Sequence, residues 1–393
     1  MKIPTFNPLT QVPVVLDMAD GRACLLAGDD TPPPADVFLS PGWFDLQVNG
    51  FAGYDINAPD VEPATVAGMV RRLWQEGVAR CCPTIVTQSF EHMARCARAV
   101  ALACEQDAQI AASVAGIHLE GPYISPMDGA RGAHPREHVR PASWDEFARW
   151  QEMAGGRIRL VSLAPETPGA APFIRRLTQA GVVVGLAHTL ATTDEIAAAV
   201  DAGATLATHL GNGSPATLPR HPNMIWDQLA EDRLWASAIF DGHHLPVSVM
   251  KVIARAKGIA RAILVSDAVA LARMAPGIYE TAVGGKVELH PNGRLSVFGT
   301  PYLAGSASSL KDCVENAVRL AGCSLAQAVQ MASMNPAKLL QSEVSVDVSD
   351  TSEVADTSFT LFQWDDRARR TTILATIVDG AVVYSNDADS ASR

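Results

Sequence analysis

The chain has 393 residues, 48% of them hydrophobic and 19% charged, with a formal net charge of −11. That is enough apolar material to bury a large core, so disorder is excluded as the default state; the acidic balance, without any Lys or Arg run, excludes a nucleic-acid surface. No apolar stretch of about 18 residues is present to span a membrane, and residues 1–8 lack the apolar run of a signal peptide.

In chain order, residues 11–39 show short alternating runs around a turn at Asp20-Gly21, the pattern of small antiparallel strands. From about residue 40 to 345, short apolar runs alternate with longer Ala-rich amphipathic segments. Eight runs read as strands: 42–48, 79–86, 114–119, 158–163, 181–187, 204–208, 235–240 and 262–266. Continuous apolar runs of this length are expected of parallel strands covered on both faces. Helices are predicted over 64–76, 91–105, 193–202 and 246–256, with Asp194 and Glu195 in a first turn where acidic residues suit a helix start. Two more are predicted after the eighth strand, over 311–321 and 325–340, separated by Gly322 and Ser324. A hairpin is expected at 286–298 around Pro291-Asn292-Gly293. Residues 342–358, rich in Ser, Asp and Val, read as a linker, and a last strand pair turns at Asp379-Gly380.

Eight strand–helix repeats in series predict an α/β fold of the (β/α)₈ TIM-barrel type. Neither flank can bury a core alone, so the two are expected to pair into one small β-sandwich. The expected division is 1–40 and 346–393 for that unit and 41–345 for the barrel. The seven cysteines, Cys24, Cys81, Cys82, Cys96, Cys104, Cys313 and Cys323, are odd in number and lack zinc-site spacing. They fit reduced thiols in a cytoplasmic protein.

Active sites of such barrels lie at the C-terminal ends of the strands. The third strand ends in His118-Leu119-Glu120-Gly121-Pro122, the fifth in His188, and the sixth in Thr208-His209-Leu210. The seventh runs into Asp241-Gly242-His243-His244, and the eighth ends in Ser266-Asp267-Ala268. A single strand-end His is more often a cap or a core residue, and a Glu before Gly-Pro is often a turn residue. Joint arrival at successive strand ends is not explained that way. Glu120, His188 and His209 offer one carboxylate and two imidazoles and leave a metal position open for water, whose pKa zinc lowers to about 7. Asp267 would take the proton of that water and return one to the departing nitrogen. His92 and His290 read as solvated surface residues; His221 is left without a role.

The motifs in order are Pro41-Gly42-Trp43-Phe44-Asp45-Leu46-Gln47-Val48-Asn49-Gly50, Pro83-Thr84-Ile85-Val86-Thr87, His118-Leu119-Glu120-Gly121-Pro122, Gly132-Ala133-His134 and Leu163-Ala164-Pro165-Glu166. They continue through Ala187-His188, Thr208-His209-Leu210-Gly211-Asn212, Asp241-Gly242-His243-His244, Ser266-Asp267-Ala268 and Leu303-Ala304-Gly305-Ser306. With these the chain resembles the N-acetylglucosamine-6-phosphate deacetylases of the amidohydrolase superfamily over nearly its whole length. The resemblance implies hydrolysis of the N-acetyl amide of an amino sugar phosphate, with metal ligands Glu120, His188 and His209 and the acid–base Asp267. It implies that His244 polarises the scissile carbonyl. Substrate contacts are implied at Ala133, His134, Asn212, Gly213, Arg220, His244, Leu303, Ala304, Gly305 and Ser306, with Arg220 reaching the phosphate from the second subunit of a homodimer. Many superfamily members carry His-x-His on the first strand for a second metal. Here that place reads Asp45-Leu46-Gln47, so one divalent ion is expected per chain, zinc with ferrous iron as the alternative.

The loop after His209, Leu210-Gly211-Asn212-Gly213-Ser214-Pro215, departs from the family pattern, as does Arg220-His221-Pro222-Asn223. These departures leave room for another N-acyl sugar or other N-acyl compound. Two other classes compete. A facial triad of two His and one carboxylate also serves iron oxygenases, but those need no base such as Asp267. A scaffold that has lost catalysis would not be expected to keep the whole set.

Overall fold

The computed structural model describes residues 1–27, 32–281, 285–342 and 358–386. All eight expected strands form: β1 Trp43–Val48, β2 Val78–Val86, β3 Ile117–Glu120, β4 Ile158–Leu163, β5 Val183–Leu186, β6 Leu206–Ala207, β7 Trp235–Ala238 and β8 Ala262–Leu264. They lie side by side in sequence order, each parallel to the next. The ring closes just beyond β8. There Asp267 N donates to Gln47 O (3.0 Å) and Asn49 N to Ala268 O (2.8 Å), with a parallel bridge between Val48 and Ala268.

Phe44, Leu46, Cys82, Leu160, Leu206 and Ile263 form one buried cluster. They come from strands on opposite sides of the ring, so they meet only in its interior. Each large apolar side chain buried there contributes about 1.5–3 kcal/mol. Leu339 and Leu340, from the end of the last helical segment, join this cluster. Helices Pro63–Gln75, Phe90–Gln106, Thr193–Ala202 and Val247–Ala256 stand at the expected places. Thr192 and Glu195 close a capping box on the third of these.

Two predicted helices differ in detail. The first is α-helical over Leu310–Asn316 and finishes in a π turn, Ala317–Ala321, ended by Gly322 at φ 78°. The second breaks at Ser333 (φ −133°, ψ −69°) into Leu325–Ala332 and Met334–Leu339. Pro336 explains the break, because it has no N–H and its ring clashes with the carbonyl four residues back.

The flanks do join, but not as two facing sheets. Strands Lys2–Phe6, Pro13–Ala19, Arg22–Ala27, Ala381–Ser385, Arg370–Val378, Phe359–Asp365 and Val37–Pro41 close, in that spatial order, into a seven-stranded barrel. Val37–Pro41 is what turns the expected sandwich into a ring. It pairs antiparallel with Phe359–Asp365 and touches Lys2–Phe6 at Phe38 and Phe6, so no strand edge is left open. The interior holds Val14, Leu16, Leu39, Phe359, Leu361, Ala375 and Ile377. Gly42 then leads straight into β1; a Cβ there would meet the Ala79 Cβ at 2.6 Å. The hairpin expected at 286–298 is present, as Gly285–Leu289 and Leu295–Val297 joined by a third strand, Gly277–Thr281. The expected linker, 342–358, lies outside the described residues except for its two ends.

Candidate active site

Glu120 stands at the end of β3, wholly buried, and gathers the other groups around one oxygen. Its Oε1 lies 2.7 Å from His209 Nε2, 3.1 Å from His188 Nε2 and accepts from Gln47 Nε2 at 3.0 Å. His188 Nδ1 is bonded to the Ala130 carbonyl (2.9 Å), which aims Nε2 at the cluster. His134 Nε2 lies 3.2 Å from that same nitrogen, and its Nδ1 is bonded to Thr87 Oγ1 at 2.8 Å. Glu120, His134 and His188 form one group able to hold a metal ion, and His209 Nε2 reaches the same Glu120 oxygen, so Glu120 and His188 can be completed by either imidazole.

The donor set suits zinc or ferrous iron. Ligands bonded at about 2.0–2.1 Å around a tetrahedron sit about 3.3 Å apart, close to the spacings seen here. Glycine is required on both sides of the His188 ring. A Cβ on Gly213 would approach Nδ1 at 2.7 Å and one on Gly132 would approach Cε1 at 3.1 Å. Glu166 pins the chain just after the ring by accepting from Leu190 N (2.7 Å) and from Thr189 Oγ1.

Burial alone would raise the Glu120 carboxyl, but hydrogen bonds from His188 and His209 outweigh it and hold the group well below its usual range. His209 moves the other way. Burial pushes it down, and the bond and charge of Glu120 lift it above its ordinary value. His134 is pushed down to about 3 by burial and by the neighbouring His188.

Asp267 follows β8, held by Asn49 Nδ2, which donates to its Oδ1 at 2.7 Å. Burial, and then the negative charge of Glu120, raise its carboxyl to about 6. His244 is anchored by Asp241, whose Oδ2 is 2.7 Å from His244 Nδ1 while Oδ1 accepts the backbone N–H of both His243 and His244 at 2.8 Å. Burial would raise Asp241, yet these bonds hold it below the usual carboxylate range.

One cavity of about 370 Å³ brings Glu120, Ala133, His134, His188, His209, Asn212, Gly213, His244, Asp267 and Leu303 to Gly305 into a common wall. Two other expected contacts lie outside that wall. Ser306 is buried behind it, with its carbonyl accepting from Val269 N, and Arg220 is exposed on the loop after β6. His243 turns away from the cavity to the Asn292 carbonyl at 3.2 Å. His92 and His290 are half-buried rather than solvated, bonded to the Asn57 carbonyl and to Ser296 Oγ.

The first-strand motif needs a correction of register. Asp45 is buried beneath the site, accepts from Ser266 N, and is raised to about 7 by burial. Because β1 runs on to Val48, the two side chains that reach the cluster are Gln47, on Glu120, and Asn49, on Asp267. Asn49 had no role in the sequence reading. Its signal was there: two residues after Gln47, it shares the parity of a strand residue already placed at the mouth. Asn49 Oδ1 and Asn212 Nδ2, both on cavity-lining residues, are buried with no hydrogen-bond partner among the described residues.

Comparison with known proteins agrees with this geometry. The amidohydrolase family model matches residues 38–383. The N-acetylgalactosamine-6-phosphate deacetylase of Escherichia coli O157:H7 is 36% identical over 305 residues, covering 77% of this chain and 78% of that protein. The human N-acetylglucosamine-6-phosphate deacetylase is 33% identical over 362 residues, covering 89% of this chain and 84% of that protein. Among solved structures, a variant of the N-acetyl-D-glucosamine-6-phosphate deacetylase of Mycobacterium smegmatis in complex with N-acetyl-D-glucosamine-6-phosphate superposes with a TM-score of 0.83 at 27% identity. That superposition covers 98% of this chain and all of the other. The chain belongs to the amidohydrolase family.

Proposed function

We propose that the protein hydrolyses the N-acetyl amide of an amino sugar 6-phosphate in the cytoplasm, N-acetylglucosamine 6-phosphate giving glucosamine 6-phosphate and acetate. The observation that carries this is the sharing of one cavity by the Glu120–His188–His209 cluster and the buried carboxyl of Asp267. The 36% identical galactosamine relative supports a second reading in which the substrate is the 4-epimer.

Glu120, His188 and His209 would hold one divalent ion, zinc or ferrous iron. When bound, the ion supplies Lewis-acid activation of the attacking water and of the acyl oxygen. Asp267 accepts a proton from that water and delivers one to the nitrogen as the C–N bond breaks. His244, oriented by Asp241, donates to the oxygen that gains negative charge. His134 is a second candidate for that role, because its Nε2 is the one already at the cluster. Ala133, Asn212, Gly213 and the loop from Leu303 to Ser306 shape the sugar site. The division into 1–40 with 346–393, and 41–345, is part of the same proposal.

Among the described residues no Lys or Arg lines the cavity, so a phosphate would draw its guanidinium from a second copy of the chain. Exposed Arg220 of a second copy in a homodimer fits that need. The test is a panel of N-acetylglucosamine and N-acetylgalactosamine, each with and without 6-phosphate, on protein carrying about one ion per chain by elemental analysis. Arg220→Ala should raise KM for the phosphorylated sugar by about 10- to 150-fold, the range of one charge-assisted hydrogen bond, and leave the unphosphorylated sugar alone. Turnover of none of the four compounds sinks the reading.

A further inference from the structure

Asn49 uses one end of its side chain and leaves the other idle. Asp267, once ionised, only accepts hydrogen bonds, so the contact at 2.7 Å fixes the amide with Nδ2 toward the carboxylate and Oδ1 turned away. Oδ1 is then a buried acceptor with no partner among the described residues, on a residue that lines the cavity. The side chain has little freedom to seek another. Asn49 N donates to Ala268 O at 2.8 Å, and Asn49 O accepts from Ile56 N and Asn57 Nδ2, both at 3.3 Å. Leaving a buried carbonyl oxygen unbonded costs about 1–3 kcal/mol, and a ligand donor entering the cavity would remove that cost.

On the deacetylation reading, on which this inference rests, the chemistry specifies which donor. Asp267 must hand its proton to the scissile nitrogen. A donor bonded to Asn49 Oδ1 would lie on the same amide group that bonds Asp267, which brings that donor to the side of the acid. The scissile nitrogen carries a hydrogen of its own. If an acceptor holds that hydrogen, the lone pair that develops as the acyl carbon becomes tetrahedral is turned toward the acid.

We infer that Asn49 is a catalytic residue: its Oδ1 accepts the N–H of the scissile amide while its Nδ2 holds Asp267 in place. The nitrogen is thereby oriented for protonation before the C–N bond breaks.

The role separates from a structural one by removing the N–H from the substrate. The 2-O-acetyl ester of glucose 6-phosphate presents the same acyl group and sugar without that hydrogen. Asn49→Ala should lower kcat/KM for N-acetylglucosamine 6-phosphate about 5- to 10-fold more than for the ester, the scale of one neutral hydrogen bond. Asn49→Asp keeps an acceptor, so it should keep the wild-type amide-to-ester ratio even as both rates fall beside a second carboxylate. Because a ratio is read, a fraction of misfolded protein in either preparation does not alter it. An active wild type with equal losses on amide and ester in Asn49→Ala overturns the role of Asn49 alone. A wild type inert toward the amide overturns the deacetylation reading, and this inference with it.

Discussion

Among the described residues of the small β-barrel, the non-glycine residues with positive φ are Gln11, Asp20, Arg369 and Asp379, all between strands. Asp20 and Asp379 each precede a glycine that is also at positive φ, the tight-turn geometry that suits right-handed strand twist. At the mouth of the large barrel the positive-φ residues include His188 (50°), His209 (34°) and Asp267 (48°), the groups proposed to bind metal and move protons. Each costs on the order of 1–3 kcal/mol in backbone strain. In the small barrel the unusual backbone serves the turn and the interior is apolar. At the mouth the same backbone aims polar side chains into a common space, and the surrounding strands hold them there. Substitutions at the mouth should therefore change rate with little loss of stability, and substitutions along the seam between the barrels should do the reverse.

The largest expected effect is at Asp267. Asp267→Asn should lower kcat by at least about 10²-fold, the scale of general acid–base catalysis, while metal content stays near that of wild type. A variant with nearly full activity removes Asp267 from the proton path. A variant that loses the ion would show that the carboxylate belongs to the metal site instead.

Next in size are the two imidazoles competing for the developing oxyanion. Removing a true donor should lower kcat by about 10²- to 10³-fold. The family resemblance points to His244, which Asp241 orients at 2.7 Å; the geometry adds His134, whose Nε2 is 3.2 Å from His188 Nε2. His244→Asn and His134→Asn measured side by side on kcat decide between them. His243→Asn should be milder than either, since that ring bonds the Asn292 carbonyl. A larger loss at His243 than at both others would show that the wrong side of this turn was chosen.

The two regions also differ in how far the sequence disclosed them. All eight barrel strands were legible because each is an apolar run of a length suited to a covered parallel strand, as 158–163 shows by matching β4 end to end. The closure of the small barrel was not. It depends on pairing Val37–Pro41 with a strand more than 300 residues away, which local alternation cannot report. At the mouth, charged and imidazole side chains at strand ends stood out. The groups that hold them did not: Asn49 carries no charge and its partner Asp267 is 218 residues distant. The Asp45–Gln47 register was misjudged because every second residue of a strand shows the same pattern, and only the point where the strand meets the mouth decides between them. Helix 325–340 reads as one element because its periodicity continues through Pro336, whereas the chain breaks at Ser333 into two helices.

The smallest effect on rate, and a clear one on stability, is expected at Glu76. It follows helix Pro63–Gln75 on the seam where Thr376 Oγ1 donates to Trp74 O and Thr360 Oγ1 to Gly77 O, both at 2.7 Å. Arg273 grips both Glu76 oxygens at 2.9 and 2.7 Å, and Lys311 Nζ lies 3.2 Å away. Burial would raise this carboxyl, but Arg273 and then Lys311 overcome it and hold it at about 2 against an ordinary 4.5. A carboxyl held low in the folded state stabilises the fold above its unfolded value and loses that contribution as pH falls through the folded one. From the size of the difference, the ionised group contributes about 3 kcal/mol near neutrality. Glu76→Gln should therefore lower unfolding stability in urea by about that amount at pH 7. The gap between variant and wild type should narrow steadily below about pH 4.5 and nearly close near pH 2. The Glu76 side chain is not among the residues lining the cavity, so kcat at pH 7 should stay at the wild-type value while the variant remains folded. A gap that keeps its full size at low pH would mean that the ion pairs with Arg273 and Lys311 are not the source of the lost stability. A fall in kcat with stability intact would mean that the seam and the mouth are coupled, and the contrast between the two regions would fail.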